Sequence, residues 1–172
     1  MLVAGATGVI GRPLVPLLVA RGYTVAGLTR SQPDVVRALG AQPIVCDVYD
    51  IERLKRLVGE FDPEVVVHLL TDLPDDRAEL ADYLERNARI RREGTRNLLA
   101  AAPGAYVIAE SVNFDAGSAV GEMEAMVDRS IRLDRLSGPG TYDPDCTGSG
   151  KRIHVAEAAA LFAAAVDGAA SS

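Results

Sequence analysis

The chain alternates between short unbroken apolar runs and longer stretches whose apolar residues return with helical spacing. "MLVAG" predicts a short buried strand, and Gly8 to about Ala20 predicts a helix with Leu14, Leu17 and Leu18 on one face. Pro13 suits a first helical turn, whereas Pro16 lies deeper and is expected to bend the helix or shift its start. "YTVAGLT" predicts a second strand, "PDVVRAL" a short helix stopped by Gly40, and "AQPIVCDV" a third strand. "DIERLKRLV" continues as a helix ended by Gly59, and "PEVVVHLL" as a fourth strand. A long helix is expected from about Asp76 to Ala102, closed by Pro103 and Gly104. After it come the strand "AYVIAES", the helix "GEMEAMVDRS", the strand "IRLDRL" and the helix "VAEAAALFAAAVDG". Ser137 to Lys151, rich in glycine, proline and acidic residues, reads as loop. Strand and helix alternate without repeat or linker, so residues 1–172 read as one α/β domain. Apolar runs such as "VVVHLL" suit strands covered on both faces, in a parallel sheet of about six strands.

Composition narrows the function. Of 172 residues, 48% are hydrophobic and 24% charged, the profile of a globular chain. A net charge of −6 argues against a broad nucleic-acid face. "LVPLLVA" is too short to cross a bilayer and does not read as a signal peptide, so no membrane partner and a cytoplasmic location are expected. Cys46 and Cys146 lie far apart without metal-like spacing, and no metal site is expected.

The first strand runs straight into "GATGVIG", with glycines at Gly5, Gly8 and Gly11. A strand that turns directly into a helix points the helix's free N–H groups beyond the sheet edge, where they suit a phosphate. In such a turn Gly5 permits the bend, Gly8 lets a pyrophosphate approach the backbone, and Gly11 lets helix and strand pack closely. This G-x-x-G-x-x-G spacing resembles the fingerprint of the extended short-chain dehydrogenase/reductase family, which includes the NAD-dependent epimerase/dehydratases. "CDV", "VVVHLL", "REGTRNLLAAA", "LSGPGTY" and "RIHVAEAA" follow in the matching order, so the resemblance covers nearly the whole chain. It implies a three-layer, doubly wound Rossmann-type fold with the substrate-covering segments largely missing. It also implies a dinucleotide cofactor and an unidentified small-molecule substrate.

Carried over one at a time, Gly5, Ala6, Thr7, Gly8, Val9, Ile10 and Gly11 would line the pyrophosphate turn. Asp47 and Val48 match positions that touch adenine, and Leu69 and Leu70 lie beneath the dinucleotide. The second strand ends in Thr29 and Arg30 with no acid until Asp34, and Arg12 follows the last glycine of the turn. An acid there would grip the 2′-hydroxyl of NAD, whereas a guanidinium suits a 2′-phosphate, so NADP(H) is expected over NAD(H). The family's proton donor, a tyrosine with a lysine four residues later, is missing. Four residues after Tyr23, Tyr49, Tyr83, Tyr106 and Tyr142 come Gly27, Arg53, Asn87, Glu110 and Cys146. Ser111 matches the serine that hydrogen-bonds a substrate carbonyl, although a strand-end serine equally serves to cap a loop. Arg91 stands where the family has an asparagine, and His68, inside an apolar run, reads as a structural residue. A reductase of altered chemistry and a non-catalytic NADP(H)-binding sensor or regulatory module both fit, as does a remnant with little affinity. The trimmed cover also leaves apolar surface that favours self-association into a homo-oligomer.

Overall fold

The fold was read from a computed structural model that describes residues 1–74, 76–113 and 117–170. Three residues of the opening run, Leu2, Val3 and Ala4, are fully buried and form β1 (Leu2–Ala4). β2 (Ala26–Thr29), β3 (Gln42–Val45), β4 (Val65–His68), β5 (Tyr106–Val112) and β6 (Arg129–Leu133) join it in one parallel sheet, ordered β3-β2-β1-β4-β5-β6. In register, Val3 of β1 lies between Gly27 of β2 and Val67 of β4. The doubly wound parallel sheet expected from the alternation is present.

Both faces are covered, which is why the strands carry apolar residues at successive positions. α1 (Gly11–Ala20) and α7 (Val155–Ala170) pack together on one face, where Leu14, Leu18 and Phe162 are fully buried. α2 (Pro33–Ala38) adds Val36 to that layer. α3 (Ile51–Phe61) and α5 (Thr95–Ala101) cover the opposite face through Leu54, Val58 and Leu98. α3 starts on an Asp50 side chain that accepts the Arg53 N–H, an N-cap that satisfies one free amide. Pro16 lies on the exposed side of α1 and neither stops the helix nor moves its start beyond Gly11.

Several expected elements differ. The long helix is four pieces: a 3-10 segment over Arg77–Tyr83, α4 (Leu84–Arg89), a π turn over Ile90–Gly94, and α5. α6 covers Ser118–Glu124, and the segment beyond it, expected to stay helical, enters β6 at Arg129. "IRLDRL" breaks at Asp134 into β6 and β7 (Arg135–Ser137), and β7 pairs with β8 (Arg152–His154) in a separate two-stranded sheet. No helix among the described residues is long and apolar enough to cross a membrane.

Candidate functional site

The chain leaves β1 toward the α1 face and leaves β4 toward the α5 face, so the strand order reverses between these neighbours. Loops diverging from adjacent parallel strands open a crevice at their carboxyl ends. Gly5 begins the turn after β1 with φ of 90°, and a Cβ there would lie 3.0 Å from the Leu69 carbonyl oxygen. At Gly11, where α1 crosses back over the turn, a Cβ would fall 2.2 Å from the Gly5 oxygen. Gly8 is exposed, and a Cβ on it would meet only that same oxygen, at 3.2 Å. The first and third glycines therefore build the turn, and the middle one leaves its outer surface bare.

α1 begins without a capping side chain, on Ile10, and without an acidic residue in its first turn. Within this first turn the Arg12 N–H already donates to the Gly8 carbonyl and Pro13 carries no N–H, which leaves the Gly11 N–H, unbonded among the described residues, for an anion approaching over Gly8. Ala6 and Ile10 anchor the turn from below in the core, while Thr7 and Val9 are half-buried at its rim. Arg12 spans from this turn to the next strand. Its Nε donates to the Thr7 carbonyl over 2.8 Å, and its Nη2 donates to Gln32 Oε1 over 3.3 Å. Thr29, buried at the end of β2, accepts the Gln32 N–H on its hydroxyl at 3.2 Å. Arg30 is exposed and, among the described residues, without a hydrogen-bond partner.

Beyond β3, the exposed Asp47 accepts the Tyr49 N–H over 3.0 Å. Val48 is buried, and its carbonyl accepts from Asn97 Nδ2 at 2.9 Å. The Arg89 guanidinium stacks on the Tyr49 ring, 4.0 Å from its centroid, and is forked to Glu93. Leu69 donates its N–H to the Ala4 carbonyl and packs into one core, and Leu70 packs into the other. Every residue expected to touch the cofactor therefore lies along the carboxyl edge of β1 to β4.

The end of β5 is built differently. Ser111 is fully buried, and its hydroxyl donates to Glu124 Oε1 at 2.5 Å. Arg132 forks the same carboxylate, and these two partners, Arg132 first, hold its pKa down at about 2. One residue earlier, the buried Glu110 takes the Arg91 Nη2 at 2.6 Å, and its own carbonyl takes Nη1 at 2.5 Å. Burial pushes the Glu110 carboxyl up, while the Arg91 charge and hydrogen bond pull it back. Arg91 Nε is buried with no partner among the described residues. His68 Nε2 meets the Thr95 hydroxyl at 2.8 Å, and its Nδ1 accepts the Leu70 N–H at 3.2 Å. That places the ring proton on Nε2. Burial, aided by Arg91, lowers its pKa to about 3 and keeps the ring neutral.

The glycine-rich loop forms a strap touching both walls of the crevice. A Cβ on Gly140 would come 3.2 Å from Val9 Cγ1, and the Tyr142 hydroxyl donates to the Pro74 carbonyl. Inside the strap, Asp143 pairs with Arg152 at 2.6 Å and accepts the Thr147 N–H at 3.0 Å. His154 ends β8, where its Nδ1 accepts the Ala156 N–H. A separate cleft lined by Ile44, Leu57 and Phe61 lies at the open edge of β3, away from the glycine turn. No cluster of three or more metal-ligating side chains occurs among the described residues.

Gln32 lay outside every sequence motif, and Asn97, within "REGTRNLLAAA", Glu110, Glu124 and Arg132 were given no functional role there. Only Glu110 left a trace there, as a carboxylate inside the apolar run "YVIAES".

Residues 1–139 match the NAD dependent epimerase/dehydratase family. The chain is 37% identical over 177 aligned positions to the 3-diazoavenalumate denitrifying reductase of a Streptomyces species, covering 82% of this chain and 57% of that protein. It is 38% identical over 107 positions to the 4-hydroxy-2-methyl-3-oxo-4-farnesyl-3,4-dihydroquinoline-1-oxide ketoreductase of Stigmatella aurantiaca, covering 61% of this chain and 30% of that one. The chain thus spans about half, or less, of the length of the curated relatives it matches. Among solved structures, the UDP-glucose 4-epimerase of Brucella ovis, determined in complex with NAD, superposes with a TM-score of 0.76 at 17% identity, over 98% of this chain and 74% of that one. The match begins at the first strand and ends inside the strap, so the chain belongs to the NAD-dependent epimerase/dehydratase family.

Proposed function

We propose that the chain is the nucleotide-binding part of a reductase. It holds NADP(H) in preference to NAD(H) and serves hydride transfer to an electron-poor acceptor without a tyrosine proton donor. One observation carries this reading: α6, where the family's tyrosine and lysine are expected, has neither, while the glycine turn is intact. The residues present fit a dinucleotide. The bare outer surface at Gly8 and the Gly11 N–H at the start of α1 suit the diphosphate, and Asp47 and Val48 match the positions that would touch adenine. Arg12 and Arg30 favour a 2′-phosphate, and the nearest acid, Asp34, is paired with Arg37 at 2.6 Å.

A bound reduced nicotinamide supplies a hydride. Ketone reduction also requires a proton on oxygen, and the usual donor pair is absent here. An aryl diazonium would differ: its arene would take the hydride that a bound reduced nicotinamide supplies, while the C–N bond would break with its electrons leaving on dinitrogen. No external proton is needed. The name of the Streptomyces relative, a reductase of a diazo compound, supports that acceptor class. The chain's own part is to bind and orient the cofactor along the β1–β4 edge, beneath the strap.

The test is NADPH consumption, followed at the nicotinamide absorbance band, with aryl diazonium salts, flavins, quinones and simple ketones as acceptors. Turnover is expected with the diazonium salts and not with ketones. Ketone reduction at a comparable kcat/KM would overturn the reading. Tight NADPH binding with no acceptor consumed would favour a non-catalytic sensor, a role to which the commitment of the Ser111 hydroxyl to Glu124 lends support.

A further inference from the structure

Gln32 belongs to no motif, yet its side chain ties the end of β2 to the glycine turn through Arg12. We infer that Gln32 is a positioning residue for cofactor choice: it fixes Arg12, and Arg12, more than Arg30, recognises the 2′-phosphate of NADP(H). This rests on the dinucleotide reading above and sharpens it.

A free arginine side chain loses much rotamer freedom when it is ordered around a phosphate. In Arg12 much of that ordering is already present. Nε is held by the Thr7 carbonyl at 2.8 Å and Nη2 by Gln32 Oε1 at 3.3 Å. A guanidinium has about five N–H donors, so after these two bonds roughly three remain for an anion.

Gln32 is itself anchored. Its N–H donates to Thr29 Oγ1 at 3.2 Å, its carbonyl accepts the Val36 N–H at 3.3 Å, and Pro33 opens α2 directly after it. Because an arginine only donates, the Gln32 amide must turn its oxygen toward Arg12, leaving its NH₂ as further donors. The pair therefore presents donors alone beside the strand end where the ribose 2′ substituent is read. No carboxylate competes within Arg30 to Pro33, and Asp34 is taken by Arg37. Arg30 lacks a comparable tether: it is exposed and unpaired among the described residues.

The experiment measures NADPH and NADH dissociation constants at one ionic strength for the whole chain. The variants are Gln32→Leu, Gln32→Glu, Arg12→Met, Arg30→Met and the double variant Arg12→Met/Gln32→Leu, each checked for an unchanged melting temperature. Gln32→Leu is expected to weaken NADPH by about tenfold and NADH by less than about twofold, the scale of one hydrogen bond to a charged group. Arg12→Met should weaken NADPH by more than about tenfold, and adding Gln32→Leu to it should change little, since a positioning residue has nothing left to position. Gln32→Glu, which sets a carboxylate beside the phosphate, should erode the preference further. The inference is overturned if Gln32→Leu weakens both dinucleotides equally, or if Arg30→Met alone abolishes the preference while Arg12→Met leaves it intact. A wild-type chain that binds neither dinucleotide overturns the dinucleotide reading itself, before any variant is made.

Discussion

Gly8 and Gly11, three positions apart in one turn, serve different ends. A side chain on Gly11 would overlap the Gly5 carbonyl oxygen at 2.2 Å, where only backbone can yield. Gly11→Ala should therefore lower stability by about 1–3 kcal/mol, read as a fall in the urea midpoint. Gly8→Val faces only one contact, at 3.2 Å, on an exposed surface. It should melt near the wild-type temperature and lose dinucleotide binding. Normal affinity in that variant would dispose of the cradle. The packing roles of Gly5 and Gly11 were legible in the spacing, because a tight turn and a close helix crossing both demand a missing Cβ. Gln32 was not legible: its meaning comes from Arg12, twenty positions away in sequence.

Among the elements, the interrupted helix between β4 and β5 departs furthest from its sequence pattern. Apolar spacing announces helix there but does not register the wider π turn at Ile90–Gly94. Directly after that turn the Thr95 hydroxyl, at the start of α5, donates to the Arg91 carbonyl at 2.5 Å and also meets His68. The Arg91 side chain reaches Glu110 on β5 and the Met123 sulfur on α6. Arg91→Met alone should cost about 3–5 kcal/mol, because it leaves a buried carboxylate without its partner. Pairing it with Glu110→Gln should recover most of that loss, as measured by chemical denaturation. A single-variant cost below about 1 kcal/mol would show the pair to be marginal. "IRLDRL" misled for a related reason: the pattern shows strand but not which partner each half finds, and after Asp134 the partner is β8.

At the scale of the whole molecule, His68 and Glu124 both link stability to acid. The unfolded chain protonates a histidine near 6.5, and the folded chain holds His68 down to about 3. The unfolded state therefore binds more protons between those values, so this contribution is complete above pH 6.5 and declines below it. Glu124 is held at about 2 against an ordinary 4.5, so its contribution is present above 4.5 and lost toward 2. Burial raises the Glu110 pKa and works in the opposite direction, with Arg91 limiting the effect. The melting temperature should begin to fall below about pH 6.5 and fall more steeply below about 4.5. The folded His68 ring should stay neutral by NMR at pH 5. A native His68 midpoint near 6.5 would contradict the buried network. The sequence by itself determined the alternating α/β plan, the glycine turn and the loss of the tyrosine–lysine pair. Each of these depends on residue type and spacing within a few positions, where chain geometry is local. Only the tertiary structure decided that Arg12 is tethered while Arg30, among the described residues, is not, that Ser111 serves Glu124, and that the strap reaches Pro74. Those partners meet across the sheet edge from 13 to 68 positions apart, and such pairings are set by packing, which local pattern does not encode.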